Sequence, residues 1–123
     1  MQLSFKLLLS VVVVAVIIPY FAICLLLFVK QHKFIFFPSS VIERTPAFFN
    51  LPYEDVWLPV KVSNGQTQLI HGWWIKAPQP DADVLLYLHG NAINVSANVG
   101  HANRLNQLGF SVLLIDYRGY GRS

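Results

Sequence analysis

The sequence predicts an α/β fold: a strand-helix-strand crossover joined to an antiparallel hairpin and preceded by one transmembrane helix. Three stretches predict it. Residues 84–88 (VLLYL) are apolar without alternation and stop at a sharp His-Gly turn, as parallel strands covered on both faces do. Residues 110–115 (FSVLLI) repeat that pattern after an intervening helix. Residues 7–29 carry no charge at all.

Those 23 residues, at about 1.5 Å each in a helix, are long enough to cross a hydrocarbon core of about 30 Å. A cleavable signal peptide is the rival reading, but its apolar region is about 7–15 residues long and ends in small residues. Phe28, Val29, Lys30, Gln31 and His32 offer no such site. The expectation is an uncleaved single-pass anchor over 1–33, in contact with the lipid bilayer through 7–29, and a globular part over 34–123. Lys6 and the N-terminal amine flank one side of the span and Lys30 and Lys33 the other, a balance that leans towards a cytoplasmic globular part.

Net charge is +3, and much of it lies in Lys30, Lys33, Arg118 and Arg122. Basic residues beside an apolar span face anionic headgroups, and no basic stripe interleaved with aromatics occurs beyond it, so nucleic acid is excluded as a partner. The single cysteine, Cys24, lies inside the span, which leaves no internal disulfide and no thiolate metal site.

After the span, residues 34–37 read as an apolar segment leaving the interface, closed by the turn Pro38, Ser39, Ser40. Val56, Leu58, Val60 and Val62 alternate with Trp57, Pro59 and Lys61, the period of a half-exposed strand, and Pro59 confines it to an edge. Asn64-Gly65 is a hairpin signal, because both residues tolerate positive φ, so residues 67–76 return antiparallel. Trp73 and Trp74 then point to opposite faces of that strand. Pro78 and Pro80 make 77–83 a loop into the central strand. Asn94 or Ser96 can cap the next helix, which runs to about Leu108 with Val99, Ala102, Leu105 and Leu108 as its apolar stripe. Gly109 stands where a left-handed C-terminal residue is wanted.

The runs LYLHGNAIN, LGF and SVLLIDYRGYGRS resemble the third strand, first helix and fourth strand of the α/β-hydrolase superfamily. FIFFPS, YEDVWLPV and HGWWIKAP fit the N-terminal sheet of its membrane-anchored, serine-aminopeptidase-like subgroup, so the resemblance covers roughly 34–123. One departure is visible: Ile93 stands where a small residue, usually glycine, is more familiar. The resemblance implies a serine hydrolase of ester or amide bonds, working without a cofactor or metal.

Acyl-transfer enzymes hold the negative oxygen of a tetrahedral intermediate with backbone N–H groups, and in this fold one donor comes from the loop after the third strand. The resemblance places that N–H at Asn91, with Ala92 second and Gly90 allowing close backbone approach; the plain alternative is that residues 89–92 merely end a strand. His89 resembles the structural histidine before the oxyanion loop and not the catalytic base, which lies downstream in the family. Asp116 resembles the anchor of the turn after it, and Arg118, Gly119 and Gly121 resemble that turn's frame. A phosphate loop at 119–123 lacks the GK[ST] ending. His71 reads as a strand histidine and His101 as a polar helix position, with no ligand spacing between them. Asn94-Val95-Ser96 is a glycosylation sequon on paper, in a loop where no glycan is expected.

No G-x-S-x-G nucleophile elbow occurs in these 123 residues, nor do the family's downstream acid and histidine. The expectation is therefore the front half of a hydrolase, ending after its fourth strand and inert as it stands, with an ester or amide substrate only for a completed chain. In the family's strand order, first-second-fourth-third, residues 84–88 become an open apolar edge able to pair with another strand. The alternative function is a membrane adaptor that binds a partner through that edge. A third reading is complementation by a separately encoded C-terminal half.

Overall fold

The computed structural model describes residues 2–123; Met1, whose amine enters the charge argument, lies outside them. Two units are present, Met1–Phe36 and Phe37–Ser123. In the first, α1 (Gln2–Ile35) is 34 residues long and continues past the uncharged run through Lys30 and Lys33. His32 and Lys33 lie in its last turn, where positive charge complements the helix dipole. Every side chain over residues 4–35 is exposed, and α1 is long and apolar enough to cross a membrane. A helix apolar on all sides needs lipid or other protein around it.

The second unit contains, in order, β1 (Phe37–Pro38), β2 (Glu54–Lys61), β3 (Thr67–Ile75), β4 (Val84–Leu88), β5 (Ala92–Ile93), α2 (Val99–Gln107) and β6 (Ser111–Ile115). Four of the strands form one sheet in the order β2-β3-β6-β4, with β4 parallel to β6 and the other pairs antiparallel. Counting only these four, the order is first, second, fourth, third. Pro59 lies in β2, an edge strand, where its missing N–H costs nothing to the ladder.

The β2–β3 hairpin forms where Asn64-Gly65 stands, by a different turn from the one expected. Only Gly65 takes positive φ, 81°, while Val62 bonds both Gly65 and Gln66 through the backbone at 2.9 Å. Asn64 contributes through its side chain, whose Oδ1 accepts the Gln66 N–H at 3.0 Å. A three-residue loop with one left-handed glycine matches strand twist as well as a two-residue turn does.

One face of the sheet carries the core. Trp73, Ile75, Val112 and Leu114 pack against Val95, Val99 and Ala102, with Phe49, Leu51, Tyr87 and Leu105 half-buried around them. Each fully buried aliphatic side chain of this kind contributes about 1.5–3 kcal/mol. Trp74, on the opposite face from buried Trp73, is only half-buried. Asn94 does cap the chain's entry into helix, its Oδ1 accepting the Ser96 N–H at 2.8 Å, but the first turn, Val95–Asn98, is 3-10 and leads into α2. Gly109 comes after α2 with φ 96°.

Two expectations need correction. Leu108 is not part of the apolar stripe: it is 73% exposed. Nine residues at about 100° each place it two and a half turns from Val99, on the far side of the helix. Nor is β4 covered on both faces. Leu85 and Tyr87 are half-buried toward the α2 side, while Val84, Leu86 and Leu88 are 55–60% exposed. β4 is the sheet's other edge, and its second face is exposed at Val84, Leu86 and Leu88.

Candidate active site

The C-terminal ends of β4 and β6 lie side by side, Leu88 opposite Ile115, which is where ligands bind in open α/β sheets. The loops leaving the two strands converge there, residues 89–95 from β4 and 116–123 from β6. His89 is 4% exposed, with its ring 4.5 Å from Tyr117 and 5.3 Å from Tyr120. Gly90, Asn91, Ala92 and Ile93 are exposed.

Hydrogen bonds to alternate carbonyls set the path of the first of these loops. Tyr117 donates its hydroxyl to the His89 carbonyl at 2.6 Å, and Tyr120 donates to the Asn91 carbonyl at 3.0 Å. Phe37 N–H also reaches the Asn91 carbonyl, at 2.9 Å, and Ser39 N–H reaches Ile93, so that β1 and β5 form a two-stranded parallel pair. Both lone pairs of the Asn91 oxygen are engaged. The peptide joining Asn91 to Ala92 is planar and trans, so the Ala92 N–H is held pointing opposite to that carbonyl.

Ile93 completes the loop with φ 65°, the left-handed region that disfavours a β-branched residue. That is the physical reason glycine is familiar at this position. Asn94 is fully buried, its amide nitrogen donating to the Ser39 and Val41 carbonyls at 2.8 Å each, so the sequon presents no acceptor on the folded surface.

Asp116 ties the two loops together. It is fully buried, and its Oδ1 accepts the Val95 N–H at 2.9 Å while lying 3.2 Å from His89 Nε2. His89 Nδ1 stands 2.7 Å from the Gly90 carbonyl, which can only accept, so Nδ1 carries a proton. Burial pushes the Asp116 carboxyl up from 3.8. Gly121, with φ 52°, passes so close to Asp116 Oδ2 that no side chain fits there. Asp116 thus reaches back to the loop after β4 as well as forward to the turn after β6.

On its other side Asp116 Oδ2 lies 4.0 Å from His71 Nδ1. His71 is fully buried in β3 and meets Asp55 of β2 at 2.6 Å through Nε2. The same Asp55 oxygen accepts Trp73 Nε1–H at 3.1 Å and Arg122 Nη1–H at 2.9 Å. The His71 hydrogen bond, with the Arg122 and Trp73 contacts, holds the Asp55 carboxyl below 3.8. Sequence reasoning missed Asp55, Tyr117 and Tyr120; only the two tyrosines left a signal, flanking the Arg118-Gly119 turn. His101 lies on α2 with its ring stacked 6.0 Å from Tyr87. Among the described residues no cluster of three metal-ligating side chains occurs. A cavity of about 330 Å³ lies apart from the loop, between Glu43, Arg44, Ser96 and α2.

The fold and these loops define an α/β protein with a candidate site at the strand ends, and comparison with known proteins identifies the family. No protein-family model matches the chain. It is 33% identical over 105 residues to the α/β-hydrolase domain-containing protein WAV2 of Arabidopsis thaliana, covering 80% of this chain and 33% of that one. It is 36% identical over 58 residues to the uncharacterized protein YfhR of Escherichia coli K12, covering 44% of this chain and 20% of that one. Among solved structures it is similar to an esterase of Pyrococcus furiosus, with TM-score 0.53, 26% identity, and coverage of 72% of this chain and 33% of the esterase. The chain belongs to the α/β-hydrolase superfamily. It spans a third or less of the length of these relatives.

Proposed function

We propose that this chain supplies the oxyanion side of a serine-hydrolase active site for an ester or amide, held on a membrane by α1 as in the membrane-anchored, serine-aminopeptidase-like subgroup. One observation carries the reading: two donors lock the Asn91 carbonyl, and so aim the Ala92 N–H outward from an exposed loop at the strand ends. An N–H fixed before the reaction loses nothing to reorganisation when charge develops, and each such donor lowers the barrier by about 3 kcal/mol. Ala92 is the donor this geometry favours, with Asn91 beside it. His89, Gly90, Asp116, Arg118, Gly119 and Gly121 shape the loop and touch no reacting atom.

No elbow serine is among these residues, so the 123-residue chain generates no oxyanion of its own. The test joins residues 1–123 in frame to the remainder of the Arabidopsis relative and exposes both proteins to a fluorophosphonate serine probe. The chimaera labels and the 123-residue chain does not. Labelling of the shorter chain would overturn the claim that it is inert, and a folded but unlabelled chimaera would overturn the assignment of its role.

A second reading, a membrane adaptor, is favoured by the exposed Val84, Leu86 and Leu88 on edge strand β4. An unpaired apolar edge can accept a partner's strand at 84–88. A stoichiometric complex of the chain purified from its native membrane would favour that reading; turnover by a completed protein would favour the enzyme.

A further inference from the structure

The first residues beyond α1 pair with the oxyanion loop itself. Ile35 ends α1, and Phe37, two residues on, is the register partner of Ala92 and donates to the Asn91 carbonyl. Two residues span at most about 7 Å of chain, however the globular unit is oriented. Val29 ends the uncharged run, and the six helical residues from there to Ile35 add about 9 Å. The loop is therefore tethered within about 20 Å of the hydrocarbon edge, with a headgroup layer of about 5–8 Å between.

The composition of the tether shortens that distance. Phe34, Ile35, Phe36 and Phe37 are all exposed, between 44% and 57%, and Lys30 and Lys33 precede them. Aromatic rings settle at headgroup level, and lysines reach outward along their stems to let a helix end sink. The loop end of the globular unit is suited to the same place: Ile93 is 41% exposed, Leu88 55%, and Arg118 is an exposed cation on the adjoining turn.

We infer that the loop end of the globular unit rests on the headgroup layer of the membrane, so that an ester reaching Ala92 comes from the lipid phase. This rests on the reading of α1 as a span and of residues 89–93 as the oxyanion loop. The partner is a lipid surface, met by Phe37 and Ile93 as apolar contacts and by Arg118 as a phosphate contact. Leu108, just beyond α2, precedes the N-terminal end of β6, the end of the sheet opposite the loop.

The experiment uses the full chain in phosphatidylcholine vesicles. With Cys24→Ala as background, an environment-sensitive fluorophore is placed in turn at Ile93→Cys, Arg118→Cys and Leu108→Cys, and quenched by headgroup-spin-labelled lipid. Arg118→Cys guards against a folding defect at strained Ile93. In a separate sample the native Cys24 carries the fluorophore against chain-labelled lipid and reports whether α1 is inserted. The expected result is loss of most emission at 93 and 118, retention at 108, and quenching at Cys24. Quenching at Cys24 with emission retained at 93 and 118, or equal loss at 108, overturns the docking while leaving the span intact. Emission retained at Cys24 overturns the span and the docking with it; neither outcome bears on the loop's role in hydrolysis.

Discussion

Ile93 shows how a single residue can carry both a resemblance and its strain. A β-branched residue at φ 65° costs roughly 1–2 kcal/mol relative to glycine, and its side chain, 41% exposed, recovers little of that by burial. Ile93→Gly is therefore expected to raise the chain's stability by about 1 kcal/mol, read as a higher denaturation midpoint of the detergent-solubilised chain. Asp55 makes a pH-dependent contribution of defined sign. Its folded pKa lies below its unfolded value of 3.8, so its stabilisation is complete above that value and is lost as pH falls through the lowered one. Asp55→Asn should be less stable than the native chain at neutral pH, the difference shrinking on acidification; a constant difference would refute the His71 contact as its cause. That Asp55 and His71 meet could not be read from the sequence. They are 16 residues apart on paired strands, and only the register brings them together.

Among the elements, those made by local chemistry were legible and those made by tertiary pairing were not. Pro59 marked β2 as an edge and Asn64-Gly65 marked a hairpin, because proline and glycine act on their own backbone. The β1–β5 pair is two residues on each side, with no periodicity to betray it, and it fixes the candidate site. The apolar run of β4 was legible as a strand, while its cover was not, since hydropathy records what a strand can bury and not what lies against it. Gly72 in β3 exists for a close approach: a Cβ there would meet Ile115 Cγ2 at 2.8 Å and the Leu114 carbonyl at 2.9 Å. Gly72→Ala should destabilise the unit by about 1–3 kcal/mol in denaturant titration, since backbone cannot give way. Leu86→Lys, on the exposed face of β4, should leave the unfolding midpoint within about 0.5 kcal/mol while reducing self-association in sedimentation.

For the whole molecule, an apolar helix and a partial α/β-hydrolase sheet occur in one chain, and the helix leads directly into the strand that braces the loop. The candidate site was legible as a motif, His89 to Ala92, while the choice of Ala92 over Asn91 needed the peptide plane that Phe37 and Tyr120 lock. Proline removes that N–H and nothing else of the peptide's hydrogen bonding. The most direct measurement is the steady-state kinetics of Ala92→Pro in the chimaera with the Arabidopsis relative. The account predicts kcat lower by about 10²–10³ with KM little changed; a kcat equal to that of the unsubstituted chimaera would contradict it.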